Sequence, residues 1–192
     1  MTVTTLHPKL QTAYELIEQL PDHVTRYEIW DGELIVTPAP TLSHQTLSKR
    51  LVRILVLHDP EEAIGAYFYA PMDVILLERT TVQPDVFWIA KANEGIIQPK
   101  HIIGAPDLCI EVISPSTEYA DRERKFGYYR DGGVREYWLV DPAAQTLTVY
   151  ALGSSTHTVY GVGATAHSGL TELAGLTVDV AKLFEDLPPL GE

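Results

Sequence analysis

The amino-acid sequence predicts an α/β fold: a mixed central β-sheet flanked by helices, with a helix and a hairpin ahead of it. Two observations carry this. Residues 106 to 141 read as one βαβ unit, in which Leu108, Ile110 and Val112 alternate with Asp107, Cys109 and Glu111, a helix follows, and Tyr137-Trp138-Leu139-Val140 returns as a short apolar strand. Upstream, Val82 to Ile89 is a second apolar strand, and it carries an acid, Asp85, near its start. An unpaired carboxylate is costly to bury in such a strand. Glu111 raises the same question, because the alternation sends it to the face opposite the aliphatic set.

The elements follow in order. Leu10, Tyr14, Ile17 and Leu20 are spaced as one face of a short helix that stops at Pro21-Asp22. Tyr27 to Trp30 and Glu33 to Val36 flank Asp31-Gly32, a two-residue hairpin signal. Ser43 is placed to cap a helix running to about His58, with Leu47, Leu51, Ile54 and Leu55 on one face and Lys49, Arg50 and Arg53 largely on the other. Residues 66 to 78 read as a strand interrupted at Pro71, and Arg79-Thr80-Thr81 turns it back as the antiparallel neighbour of the Asp85 strand. Residues 91 to 105 read as a loop. Ser116 and Thr117 offer cap hydroxyls to the helix of the βαβ unit, which runs from 118 to 130 and stops at Asp131-Gly132-Gly133. Thr146 to Tyr150 is a hairpin partner for the returning strand. Strand and turn pieces come next, a further strand from Leu170 to Asp179, and a last short helix from Val180 to Asp186.

A chain of 192 residues with 45% hydrophobic content is suited to one domain, 1–192, divided into a helix and hairpin (1–42), a core (43–150) and terminal strands with a short helix (151–192). There is no run of 18 apolar residues and no basic-then-apolar start, so no membrane span or signal peptide is expected. The single cysteine, Cys109, has no internal partner, which suits a cytoplasmic location. The formal net charge of −12 argues against a protein that coats nucleic acid. That acidity is mostly terminal: residues 43 to 135 hold 11 basic and 13 acidic side chains, against 2 and 6 before them and 1 and 7 after. There is no Gly-rich phosphate loop and no Cys/His spacing of the zinc type, which removes nucleotide-triphosphate and zinc-finger readings.

Two carboxylates on neighbouring strands can share a divalent cation, and a nearby lysine can stabilise negative charge. That is the minimum equipment for metal-assisted phosphodiester hydrolysis. Asp107 rivals Asp85 because it also follows a proline. It lies four residues from Glu111, roughly 13 Å along a strand, so Asp85 is the better partner. Asp121 stands four residues before Lys125, a spacing that suits an ion pair along a helix. Trp30, Trp88 and Trp138 read as core, and Tyr128 and Tyr129 as packing residues.

Pro84-Asp85, then Glu111 on a following strand, then Lys125 on the next helix resembles the PD-(D/E)XK restriction-endonuclease-like nucleases. The wider string APDLCIEVISPSTEYADRERKFGYYRDGGVREYWLVDP, residues 105 to 142, is similar to the Uma-two family of endonucleases, and the similarity runs from about Tyr27 to the C-terminal segment. The resemblance implies a restriction-endonuclease-like core and a magnesium-dependent endodeoxyribonuclease, with manganese as a substitute ion. In that reading Asp85 and Glu111 hold the metal and Lys125 is catalytic. Ile113 occupies the position of the superfamily's in-strand lysine, so Lys125 stands in as a migrated one. His44 with Gln45 matches a His-Gln pair of the family, and Glu33 an acid of its N-terminal hairpin. A DNA substrate and a homodimer are implied in the same way. A catalytically silent nuclease-fold module that binds protein or nucleic acid is the alternative, with a nuclease of RNA or branched DNA as a third reading.

Overall fold

Hydrophobic alternation on the βαβ strands is satisfied on both faces, because the sheet they belong to is covered on each side. The computed structural model describes residues 2–4, 27–36, 39–114 and 120–190, with the side chains of 2–4 and 120–122 excepted. The expected N-terminal helix around residues 10–20, and the cap hydroxyls of Ser116 and Thr117, lie outside the described residues.

The strands are β1 (Thr2–Thr4), β2 (Tyr27–Trp30), β3 (Glu33–Val36), β4 (Gly65–Tyr69), β5 (Val74–Leu77), β6 (Thr80–Val82), β7 (Val86–Ala90), β8 (Ile102–Ile103), β9 (Leu108–Val112), β10 (Glu136–Asp141), β11 (Thr146–Ala151), β12 (Thr156–Tyr160), β13 (Thr165–His167) and β14 (Thr177–Asp179). The α-helices are α1 (Leu42–His58), α2 (Phe126–Gly132) and α3 (Val180–Phe184). Among the described residues they form a first sheet in the order β1-β3-β2-β6-β5-β8, a second in the order β12-β11-β10-β9-β7-β4, and a small β13-β14 pair. The second sheet is the mixed central sheet: β9 runs parallel to β10 and antiparallel to β7.

One face of this sheet offers Val86, Trp88, Leu108, Ile110, Val112, Trp138 and Val140 to Leu47, Leu51 and Leu55 of α1 and to Leu183 and Phe184 of α3. Each fully buried aliphatic side chain there contributes about 1.5–3 kcal/mol. The other face offers Phe87, Ile89, Cys109 and Tyr137 to Val74 and Val82 of the first sheet and to Tyr129 of α2. Glu111 lies on that second face, with the first sheet and α2 packed over it rather than solvent.

Several expectations need correction. The stretch around Pro71 is two strands in different sheets: β4 pairs with β7, while β5 pairs with β6 in the first sheet. The second sheet ends beside Pro71, where Ala70 makes a last rung to the Asp85 carbonyl (3.1 Å) and proline has no N–H with which to continue. The N-cap of α1 is Thr41, whose hydroxyl accepts from the His44 amide, and Ser43 sits inside the first turn. Residues 91 to 105 are not all loop, since they hold a 3-10 turn (Lys91–Ile96) and β8. Within Leu170 to Asp179 only Thr177–Asp179 is strand.

Other expectations hold. Asp31 and Gly32 both take positive φ (55° and 87°), as the two-residue turn requires. Gly133 ends α2 in the left-handed region (φ 92°). A π-helical turn, Ala120–Lys125, leads into α2, a widening of the helix that recurs at functional sites.

Candidate active site

Asp85 immediately precedes β7. The register Val86↔Ile110, continued by one step, sets it opposite Glu111 on β9. Both are buried, at 3% and 2% exposure, so neither is a solvent-facing edge acid. Asp85 Oδ2 accepts from the Val112 amide (2.9 Å) and pairs with His44 Nε2 (2.9 Å). Since the carboxylate accepts, Nε2 carries the proton in this pair. His44 Nδ1 is then a buried nitrogen with no partner among the described residues. The Thr41 cap fixes the start of α1 and thereby delivers His44 to the carboxylate.

Glu111 receives two donors on one oxygen. Lys125 Nζ lies 2.9 Å from its Oε1, and the Tyr129 hydroxyl donates to the same atom. Burial pushes the Tyr129 hydroxyl well above its ordinary pKa, and the Glu111 charge pushes the same way, so the phenol remains a donor. Lys125 is itself buried, with its ammonium also 3.0 Å from Glu28 Oε1. Glu28 is held in turn by the Trp30 indole N–H (3.0 Å) and the Gln83 amide (2.8 Å). Gln83 lies two residues before Asp85, so one connection orients both acids. The lysine therefore sits between two carboxylates from different sheets.

Of the residues singled out in the sequence, Asp85 meets His44 and Glu111 meets Lys125, the two acids being carried on adjoining strands. Glu33 does not take part in this bonding: it pairs in register with Trp30 at the turn end of the hairpin, and the hairpin acid that reaches Lys125 is Glu28. Asp107 sits at the far end of β9, bonded to the Ala90 amide (2.8 Å), Asn93 (3.1 Å) and Arg135 (3.0 Å). The side chain of Asp121 lies outside the described residues. Lys125 is not a surface cation: its partners are Glu28 and Glu111. The Arg50 guanidinium donates to the Leu183 carbonyl (2.8 Å) and ties α1 to α3. Arg124 stacks on Trp30, 4.8 Å from the ring centroid. Glu28 was missed, although its signal matched that of Asp85: an acid inside an otherwise apolar strand, Tyr27-Glu28-Ile29-Trp30.

Among the described residues no three His, Cys, Asp or Glu side chains gather into a ready metal cluster. Asp85 and Glu111 bring carboxylate oxygens, the donor type that a hard divalent cation takes, and magnesium needs only one or two carboxylates alongside water and substrate oxygens. Asp85 and Glu111 would hold it.

A crystal structure from Anabaena variabilis ATCC 29413, described as a putative nuclease belonging to DUF820, superposes with a TM-score of 0.76 at 21% sequence identity, covering 90% of this chain and 97% of that one. The fold is thereby defined as a nuclease-like α/β fold. The Uma2 family model, described as "Putative restriction endonuclease", matches residues 14–181, and the chain belongs to that family. The uncharacterized protein sll1609 of Synechocystis sp. is 28% identical over 135 residues, which is 69% of this chain and 76% of its own length. No described helix is long and apolar enough to cross a membrane.

Proposed function

We propose that the protein is a metal-dependent endonuclease that hydrolyses DNA phosphodiester bonds, with Asp85 and Glu111 as metal ligands and Lys125 as the catalytic cation. The family description supports the nuclease reading. The observation that carries it is the 2.9 Å contact between Lys125 Nζ and Glu111 Oε1. A lysine that sequence places one element away arrives at the acid.

A bound magnesium ion, or manganese in its place, supplies Lewis-acid polarisation of a phosphoryl oxygen and a water of lowered pKa. The chain's own groups do the rest. Lys125 offers a fixed positive charge to the attacking water or to the charge that develops on phosphorus, a form of stabilisation that needs no rearrangement because Glu28 and Glu111 already hold the ammonium. Tyr129 and the Val112 amide fix the orientation of the two acids. His44 holds Asp85 from the side of α1.

The test is cleavage of supercoiled and linear DNA by the wild type and by Asp85→Asn, in Mg²⁺, Mn²⁺ and EDTA. Metal-dependent cleavage that Asp85→Asn abolishes is the expected result. Wild-type protein that binds Mn²⁺ and never cuts would support the catalytically silent module instead.

A further inference from the structure

We propose that the cleft between α1 and the end of β4 is a nucleotide subsite, taking one nucleotide beside the scissile phosphate with its base laid on Tyr69. The protein then acts on strands whose bases are free to leave the stack: single strands, or duplex that is locally open. This rests on the nucleic-acid reading above and specifies its substrate.

The cleft has a volume of about 300 Å³, and Asp85 and His44 lie in its lining with Gln45, Lys49 and Val52 of α1 and Tyr69 of β4. It leads from solvent to the carboxylate assigned to the metal. Both walls are tied to that one residue: α1 through the His44–Asp85 bond, and β4 through the Ala70 amide on the Asp85 carbonyl. The rim is therefore fixed relative to the place where a phosphate would react.

The lining has the chemistry of a nucleotide site. Tyr69 is 61% exposed, and among the described residues it is the only exposed Phe, Tyr or Trp. Lys49 is an exposed cation on the opposite wall, one helical turn from Gln45. An aromatic plane, a cation for phosphate and a hydrogen-bonding amide are what a nucleotide uses. The face of a base is hidden inside a regular duplex, which shows a protein only base edges. Tyr69 can cover a base face only when that base is unstacked or single-stranded.

The experiment uses a short single-stranded oligodeoxynucleotide carrying one 2-aminopurine, and the same sequence as a duplex. Binding is followed in Ca²⁺ by anisotropy and 2-aminopurine quenching, and cleavage in Mn²⁺, for wild type, Tyr69→Phe, Tyr69→Ala and Lys49→Ala. The expected result is tighter binding of the single strand, with quenching that Tyr69→Phe keeps and Tyr69→Ala loses. Tyr69→Ala should weaken binding about tenfold, the scale of one stacked base. All variants should melt as wild type does, because both side chains are exposed. Cleavage by Tyr69→Ala with an unchanged KM, or a duplex bound as tightly as the single strand, overturns the subsite and leaves the nuclease reading standing. Tyr69-dependent binding with no cleavage in Mn²⁺ or Mg²⁺ supports the subsite and overturns the nuclease reading. A wild type that binds neither strand overturns both.

Discussion

Lys125 Nζ is shared between Glu111 Oε1 and Glu28 Oε1, at 2.9 and 3.0 Å, and all three residues are buried. Two sheets and a helix converge on a single ammonium. The candidate site is therefore also a structural joint, and variants there carry both consequences.

Lys125→Ala should cost stability as well as cleavage. Removing one partner of a buried ion pair leaves the others uncompensated, at about 3–5 kcal/mol. Thermal melting with and without Mn²⁺ checks this, and the ion should restore part of the loss because it neutralises the same carboxylates. A melting temperature equal to wild type in EDTA would contradict the buried pairing.

Glu28→Gln separates the two roles. Glutamine keeps one acceptor oxygen, so it can hold the Gln83 amide but not Trp30 as well, and it gives up the charge that holds Lys125. Misplacement of a catalytic group by about 1 Å can cost on the order of 10²-fold. The expected outcome is a fall in kcat of that order, a displaced pH–rate profile, and unaltered Mn²⁺ affinity by calorimetry. Glu28→Asp should recover little, since the shorter side chain does not reach. An unchanged kcat in Glu28→Gln would remove Glu28 from the positioning of Lys125.

Mn²⁺ should raise the melting temperature of the wild type, and Asp85→Asn should abolish the shift. At a free concentration of 100 times Kd, a native-state ligand stabilises by about 2.7 kcal/mol. A full shift in Asp85→Asn would take Asp85 out of the metal site.

Stability should fall in acid through a pair remote from the site. Hydrogen bonds from Arg135 hold the Glu172 carboxyl below its ordinary value. A carboxyl depressed in the folded state contributes stability that is present above its unfolded value and lost as pH falls through the folded one. The loss therefore lies below about pH 4.3. Glu172→Gln should flatten that acid limb in denaturant melts while leaving DNA cleavage as in the wild type.

Cys109 should resist thiol reagents in the native protein. Burial pushes its thiol well above the ordinary value, with the Glu111 charge adding to the effect, so little thiolate forms. Stoichiometric labelling without denaturant would contradict the closed packing on that face of β9.

The sequence by itself determined the βαβ unit, the Asp31-Gly32 hairpin turn and the α1 stripe of Leu47, Leu51 and Leu55. Each rests on local rules: alternation along a strand, the three-to-four residue spacing of a helix, and turn glycines. Only the tertiary structure decided which strands share a sheet. Pro71 marked a break in the sequence, but the transfer of the chain from one sheet to the other is set by pairing between residues far apart. The same holds for Glu28. Its strand reads like many hairpin strands, and its meeting with Lys125, 97 positions along the chain, exists only because the first sheet packs over Glu111. Arg50 reads as a surface cation on its helix until α3 folds back and offers it the Leu183 carbonyl. Local periodicity says which face of an element is buried, whereas the neighbour that covers that face is a choice made by the whole chain.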